Sequence, residues 1–117
     1  MELHSANTLP AGVDLRTTTF RIIKDGVTNS IGAILHDSSG NTYTIPDANF
    51  QTRFNISRSE MATLIIKKVS EREEAVYQCE LTTTTLNIWT YNIRVIVTGK
   101  NFNVQIVYDK RSQSINV

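Results

Sequence analysis

The chain has 117 residues and a net charge of +1, with 40% hydrophobic and 20% charged residues. This length and mixture predict one folded domain with an ordinary core and argue against disorder. The near-neutral balance predicts neither a nucleic-acid interface nor a membrane-surface patch. No apolar run approaches the roughly 18 residues that a membrane-spanning helix needs.

β-Branched residues dominate the chain: Val, Ile and Thr supply 37 residues, whereas Ala and Leu supply 13. Such side chains suit a pleated surface, and short apolar runs recur between turn residues, which favours an all-β sandwich or barrel. The predicted strands span residues 18–23, 30–36, 42–45, 53–57, 62–67, 75–81 and 89–97.

Two further local patterns complete the prediction. Residues 31–45 are expected to form a hairpin, and the polar stretch 70–74 one turn of helix between strands. We assign residues 1–99 to the domain and expect 100–117 to be a linker or the first strand of a following domain. The alternative is a tail that packs back on this domain.

The most specific motif is an acid, Ala, Tyr and Cys at alternating positions, formed by Glu73, Ala75, Tyr77 and Cys79. It resembles the start of strand F in V-type immunoglobulin domains, and the resemblance extends back to Arg53. It implies an all-β immunoglobulin-like Greek-key sandwich of two antiparallel sheets. It also implies a Tyr77 hydroxyl bonded to nearby backbone and an Arg53–Glu73 ion pair.

The chain departs from that family because Cys79 is its one cysteine, so no intrachain disulfide is possible. We place Ile22 at the usual strand-B cysteine, with Thr17 as the rival position. Ile34 or Leu35 then falls where the strand-C tryptophan is expected. Apolar packing of Ile22, Ile34 and Cys79 is expected to replace the disulfide.

No catalytic or cofactor motif stands out in the sequence. There is no glycine-rich phosphate loop, paired metal-ligand motif or nucleophile elbow, so we expect neither an enzyme nor a cofactor. Cys79 is interpreted as a small buried hydrophobe. Asn55 begins an Asn-Ile-Ser sequon and is a candidate glycosylation site.

In V-type receptors, the exposed face of strands G, F, C and C′ commonly binds a protein partner. Alternation along strand F places Gln78 and Glu80 on this face, and aromatic residues are favoured at binding centres. For Trp89 and Tyr91, packing in the core is the alternative. The candidate partner-binding residues are His36, Tyr43, Gln78, Glu80, Trp89 and Tyr91.

A V-like domain without the disulfide and tryptophan is similar to the N-terminal domains of allorecognition receptors of colonial hydroids. The resemblance implies homophilic binding to the same domain on an opposing cell, with no nucleic acid involved. It implies a fragment of a type I membrane glycoprotein, on the extracellular side of the plasma membrane, with leader and anchor outside this sequence. The alternative is an intracellular structural module, like the immunoglobulin-type domains of muscle proteins, because a lone cysteine suits a reducing compartment.

Overall fold

The structure is a computed structural model that describes residues 1–4, 14–98, 103–108 and 112–115. Strands account for most of these residues, together with one short α-helix and one 3₁₀ turn. In chain order, the elements are β1 (Glu2–His4), β2 (Leu15–Lys24), β3 (Val27–Leu35), β4 (Thr42–Thr44), α1 (Ala48–Arg53), β5 (Phe54–Ile56), β6 (Thr63–Ile66), the 3₁₀ turn (Glu71–Glu73), β7 (Ala75–Thr83), β8 (Asn87–Thr98), β9 (Asn103–Tyr108) and β10 (Ser112–Ile115).

The strands form two antiparallel sheets. The smaller sheet has the order β1-β6-β5, and the larger has the order β10-β8-β7-β2-β3-β4, with β9 also paired with β8. Buried side chains from both sheets form one core, and Phe54 of the smaller sheet contacts Tyr77 of the larger with ring centroids 5.9 Å apart. The chain is therefore nearly all-β, and its two sheets are compatible with a β-sandwich.

Each of the seven predicted strands is present, with no end shifted by more than three residues. The expected hairpin is β3 paired with β4, and the expected polar turn is the 3₁₀ turn. β1 and α1 are not among the elements predicted from the sequence. A signal for α1 exists: Asp47, after Pro46, caps the helix by accepting a 2.8 Å hydrogen bond from the backbone N–H of Asn49.

The described part of the C-terminal tail adds to the larger sheet. β9 and β10 both pair antiparallel with β8, on the edge opposite β7. The described tail residues are therefore hydrogen-bonded to this sheet, and the domain boundary at residue 99 stays a prediction.

The strand-B position predicted for Ile22 implies a place in the sheet opposite Cys79, and the structure places Ile22 elsewhere. β2 lies between β3 and β7 and is hydrogen-bonded to both, so Ile22, paired with Tyr77, is in the same sheet as Cys79. Ile34 is buried on β3, one strand further away. From the smaller sheet, Leu3 and its strand partner Leu64 line one small void together with Cys79.

Phe20 lies beside Cys79 on the neighbouring strand. Its backbone is paired with that of Cys79, and it lines the same void. Leu3, Phe20 and Cys79 are each at most 2% exposed. A leucine, a phenylalanine and a thiol thus pack together in this part of the core.

Candidate recognition surfaces

Arg53, Glu73 and Tyr77 converge where α1 meets the 3₁₀ turn. Arg53 donates two hydrogen bonds to the Glu73 carboxylate, from Nε to Oε1 at 3.2 Å and from Nη2 to Oε2 at 3.0 Å. The Tyr77 hydroxyl donates a 2.6 Å hydrogen bond to the Glu73 carbonyl oxygen. Burial raises the pKa of Tyr77, and the Glu73 charge raises it further, so the phenol stays protonated as a donor. This corner links the end of α1, which leads into β5, to the 3₁₀ turn that leads into β7.

The outward face of the larger sheet carries a row of bonded polar side chains from three adjacent strands. Arg21 on β2 donates from Nη1 to Gln78 Oε1 at 3.3 Å and to Glu80 Oε2 at 3.4 Å on β7. Gln78 in turn donates to Asn92 on β8 at 3.2 Å. We call Arg21, Gln78, Glu80 and Asn92 the polar row. Gln78 and Glu80 point outward, as the alternation along β7 predicts.

The two aromatic residues expected on that face point the other way. Trp89 is 4% exposed and Tyr91 is 9% exposed, and both belong to the core. They face inward because they are paired with inward-facing Leu81 and Cys79 on β7. Core packing, the alternative left open by the sequence, is therefore what the structure contains. Trp89 Nε1 is buried without a hydrogen-bond partner in the described part of the chain.

His36 and Tyr43 lie at the β3–β4 edge, away from the polar row. His36 is half-buried, and its Nε2 lies 2.8 Å from the hydroxyl of fully buried Thr18. Burial lowers the pKa of His36, which favours a neutral imidazole near pH 7. Tyr43 carries the guanidinium of Arg58 over its ring, at 4.6 Å from the centroid.

A cleft of about 500 Å³ opens between β4 and β5. We call it the edge cleft. Its walls include Tyr43 and Ile45 on one side and Phe54 and Asn55 on the other, with Arg58 and Lys67 at its rim. Asn55 is exposed, so a glycan attached there would project from this cleft.

The β4 wall approaches β3 closely because residue 32 is glycine. A Cβ on Gly32 would clash with the Thr44 carbonyl oxygen and would lie 2.9 Å from Ile45 Cγ1. No other side chain permits this contact without a shift of the β4 backbone. No sequence pattern pointed to Arg58, Lys67 or Gly32.

One described group could in principle hold a metal ion: Glu2, His4 and Glu60 each bring one ligand atom within 4.8 Å of the others. His4 Nδ1 already has close partners, at 3.1 Å from Glu60 Oε2 and 3.0 Å from Thr63 Oγ1. Glu60 is half exposed and Glu2 is exposed, so the cluster is also a solvated surface ion-pair group.

No protein-family model matches the chain, and no curated protein is significantly similar to it. Among the described residues, no helix is long and apolar enough to span a bilayer.

Proposed function

We propose that the chain is a V-type immunoglobulin-like domain that recognises a second copy of itself. The observation that most directly supports this proposal is the order of the strands in the two sheets. V-type domains place B, E and D in one sheet and G, F, C, C′ and C″ in the other. The orders β1-β6-β5 and β8-β7-β2-β3-β4 match these when β1 is taken as strand B and β2 as strand C.

Side chains at the diagnostic positions support the same assignment. Leu3 then takes the place of the strand-B cysteine, and Phe20 takes the place of the strand-C tryptophan. The Tyr77 hydroxyl bonded to the Glu73 carbonyl has the geometry of a tyrosine corner. The Arg53–Glu73 pair links the start of strand D to the E–F turn.

The polar row supports recognition of a second copy. Arg21 and Glu80 carry opposite charges side by side on an open sheet face, and their side chains remain 27% and 31% exposed. A two-fold interface brings the same patch together twice, so it requires a self-complementary surface. In such a docking, Arg21 of each copy meets Glu80 of the other.

This activity agrees with the resemblance to hydroid allorecognition receptors. We therefore propose that the domain acts on the extracellular side of the plasma membrane, as part of a membrane-anchored parent. Homophilic binding in trans is the activity, and no catalytic step is part of it.

A charge swap in the whole chain tests this function. Arg21→Glu and Glu80→Arg should each abolish self-association in sedimentation velocity, because like charges then meet across the interface. An equimolar mixture of the two variants should associate again, since each supplies the charge that the other lacks. Beads coated with the two variants should likewise cluster only when mixed.

Lys68→Glu is the matched control, because Lys68 is exposed and lies outside the polar row. It should leave self-association unchanged apart from a small salt-dependent effect. A wild-type chain that remains monomeric at high concentration, with no bead clustering, would refute homophilic recognition. It would favour the intracellular structural module.

A further inference from the structure

The edge cleft combines two features that point to a ligand: open strand edges and unpaired positive charge. β4 ends the larger sheet and β5 ends the smaller one, so each wall is paired along one side only within the described residues. An unpaired strand edge presents backbone N–H and C=O groups to any extended chain that lies beside it.

Of the two walls, β4 is the better strand template. On β5, the backbone N–H of Ile56 is already taken by the Asn55 side chain at 2.9 Å. On β4, the known partners of the strand all come from β3. The Gln51 amide bonds the Ile45 carbonyl just beyond the strand, at 2.7 Å, which leaves the strand itself open.

The charged residues that line the cleft are all positive among the described residues. Arg58 and Lys67 line it, and none of the described residues that line it is an aspartate or glutamate. Neither cation has a carboxylate within ion-pair distance among the described residues, whereas Arg21 and Arg53 are paired with glutamates. Lys67 Nζ is instead held by the Gln51 carbonyl oxygen at 2.7 Å, and Arg58 by the Tyr43 ring.

The size and lining of the cleft also suit a ligand. About 500 Å³ falls within the range of binding clefts in proteins. Half-buried Ile45 and Tyr43 supply apolar contact beside the two cations. An extended segment beside β4 turns every second side chain toward the cleft, so acidic residues at alternate positions would face the two cations.

We propose that the edge cleft binds an extended acidic peptide segment, which pairs with the β4 edge and places carboxylates at Arg58 and Lys67. This site is separate from the polar row, so it does not depend on the homophilic function.

The test is fluorescence anisotropy of the whole chain with a labelled seven-residue peptide that alternates Thr or Val with Glu. The matched probe has Gln in place of each Glu. We expect binding of the acidic probe that weakens as salt is raised, and little binding of the Gln probe. Arg58→Gln or Lys67→Gln should weaken acidic-probe binding by about tenfold, the effect of losing one hydrogen bond to a charged group.

Lys68→Gln is the control, since it removes a neighbouring cation outside the cleft, and it should retain the affinity. Thermal unfolding checks that each variant is folded. Sedimentation velocity of Arg58→Gln should match the wild type, which separates this site from self-association. Equal binding of both probes, or wild-type affinity in a folded Arg58→Gln, Lys67→Gln double variant, would overturn the proposal. So would binding of a sulfated oligosaccharide through these cations while the acidic peptide fails to bind.

Discussion

Arg53 and Glu73 form a bidentate ion pair that is shielded from solvent, with side-chain exposures of 16% and 1%. The Arg53 guanidinium also lies over the Phe54 ring, 4.9 Å from its centroid, and 5.4 Å from that of Phe50. The pair joins the end of α1 to the 3₁₀ turn, twenty residues apart in the chain. Since Tyr77 binds the backbone of the same glutamate, one residue anchors both contacts.

Replacing Glu73 with Ala should lower the free energy of unfolding by about 3 kcal/mol, because Arg53 is left in a partly buried site without its counter-charge. Urea unfolding at pH 7 measures this change. Glu71→Ala is the matched control, since Glu71 is an exposed residue of the same turn and its loss should change stability by less than about 0.5 kcal/mol. Equal stabilities for the two variants would show that the ion pair contributes nothing measurable.

The sequence predicted the β5–β7 region well because its signals are local. Glu73, Tyr77 and Cys79 lie within seven residues, and the alternation along β7 sets which of its side chains face inward. Arg53 could be paired with Glu73 from the family resemblance, and the two are in contact in the structure. Close spacing leaves Glu73, Tyr77 and Cys79 little freedom to lie elsewhere.

The N-terminal half was harder because its identifying residues are absent. β1 is three residues long, and Glu2, Leu3 and His4 include no β-branched side chain. The stronger alternation of β2 therefore favours its assignment to strand B, which predicts Ile22 opposite Cys79. Periodicity alone identifies a strand but does not say which sheet it joins. It also does not say which face of the strand points inward, and Trp89, a candidate partner-binding residue, is buried in the core.

An engineered disulfide can decide whether residue 3 or residue 22 faces Cys79. Leu3→Cys should form a disulfide with Cys79 on mild oxidation, because Leu3 and Cys79 line one small void from opposite sheets. A loop of this length should raise the free energy of unfolding by up to about 4 kcal/mol. Thiol titration and thermal unfolding with and without reductant measure both effects.

Ile22→Cys is the matched variant, and it should keep two free thiols after the same oxidation. Ile22 is paired with Tyr77 and not with Cys79, so the two sulfur atoms lie on different rungs of one sheet. Oxidation of Ile22→Cys in place of Leu3→Cys would instead support Ile22 as the residue that faces Cys79.

Gly32 should tolerate no larger residue. The added methyl group of Gly32→Ala would meet the Thr44 carbonyl oxygen, which belongs to the backbone and can move only with β4. We expect a loss of about 1 to 3 kcal/mol in unfolding free energy, the usual cost of overpacking. Ala33→Ser is a control on the same strand, because Ala33 is only half-buried and should accept a small change. Wild-type stability of Gly32→Ala would contradict the close approach of β4 to β3.

His36 should make the domain less stable in mild acid. Its pKa is lowered by burial, while an unfolded histidine titrates near pH 6.5. Below about pH 6.5 the unfolded chain therefore takes up a proton that the folded chain does not, so unfolding becomes more favourable until the folded pKa is passed. The stabilising contribution is complete above pH 6.5 and is lost as the pH falls. His36→Gln keeps a polar group near Thr18 without this titration, so its urea-unfolding free energy should fall less between pH 7.5 and 5.5 than that of the wild type. Carboxylates titrate alike in both chains, and parallel pH profiles would therefore show that His36 is protonated as readily in the folded domain as in the unfolded chain.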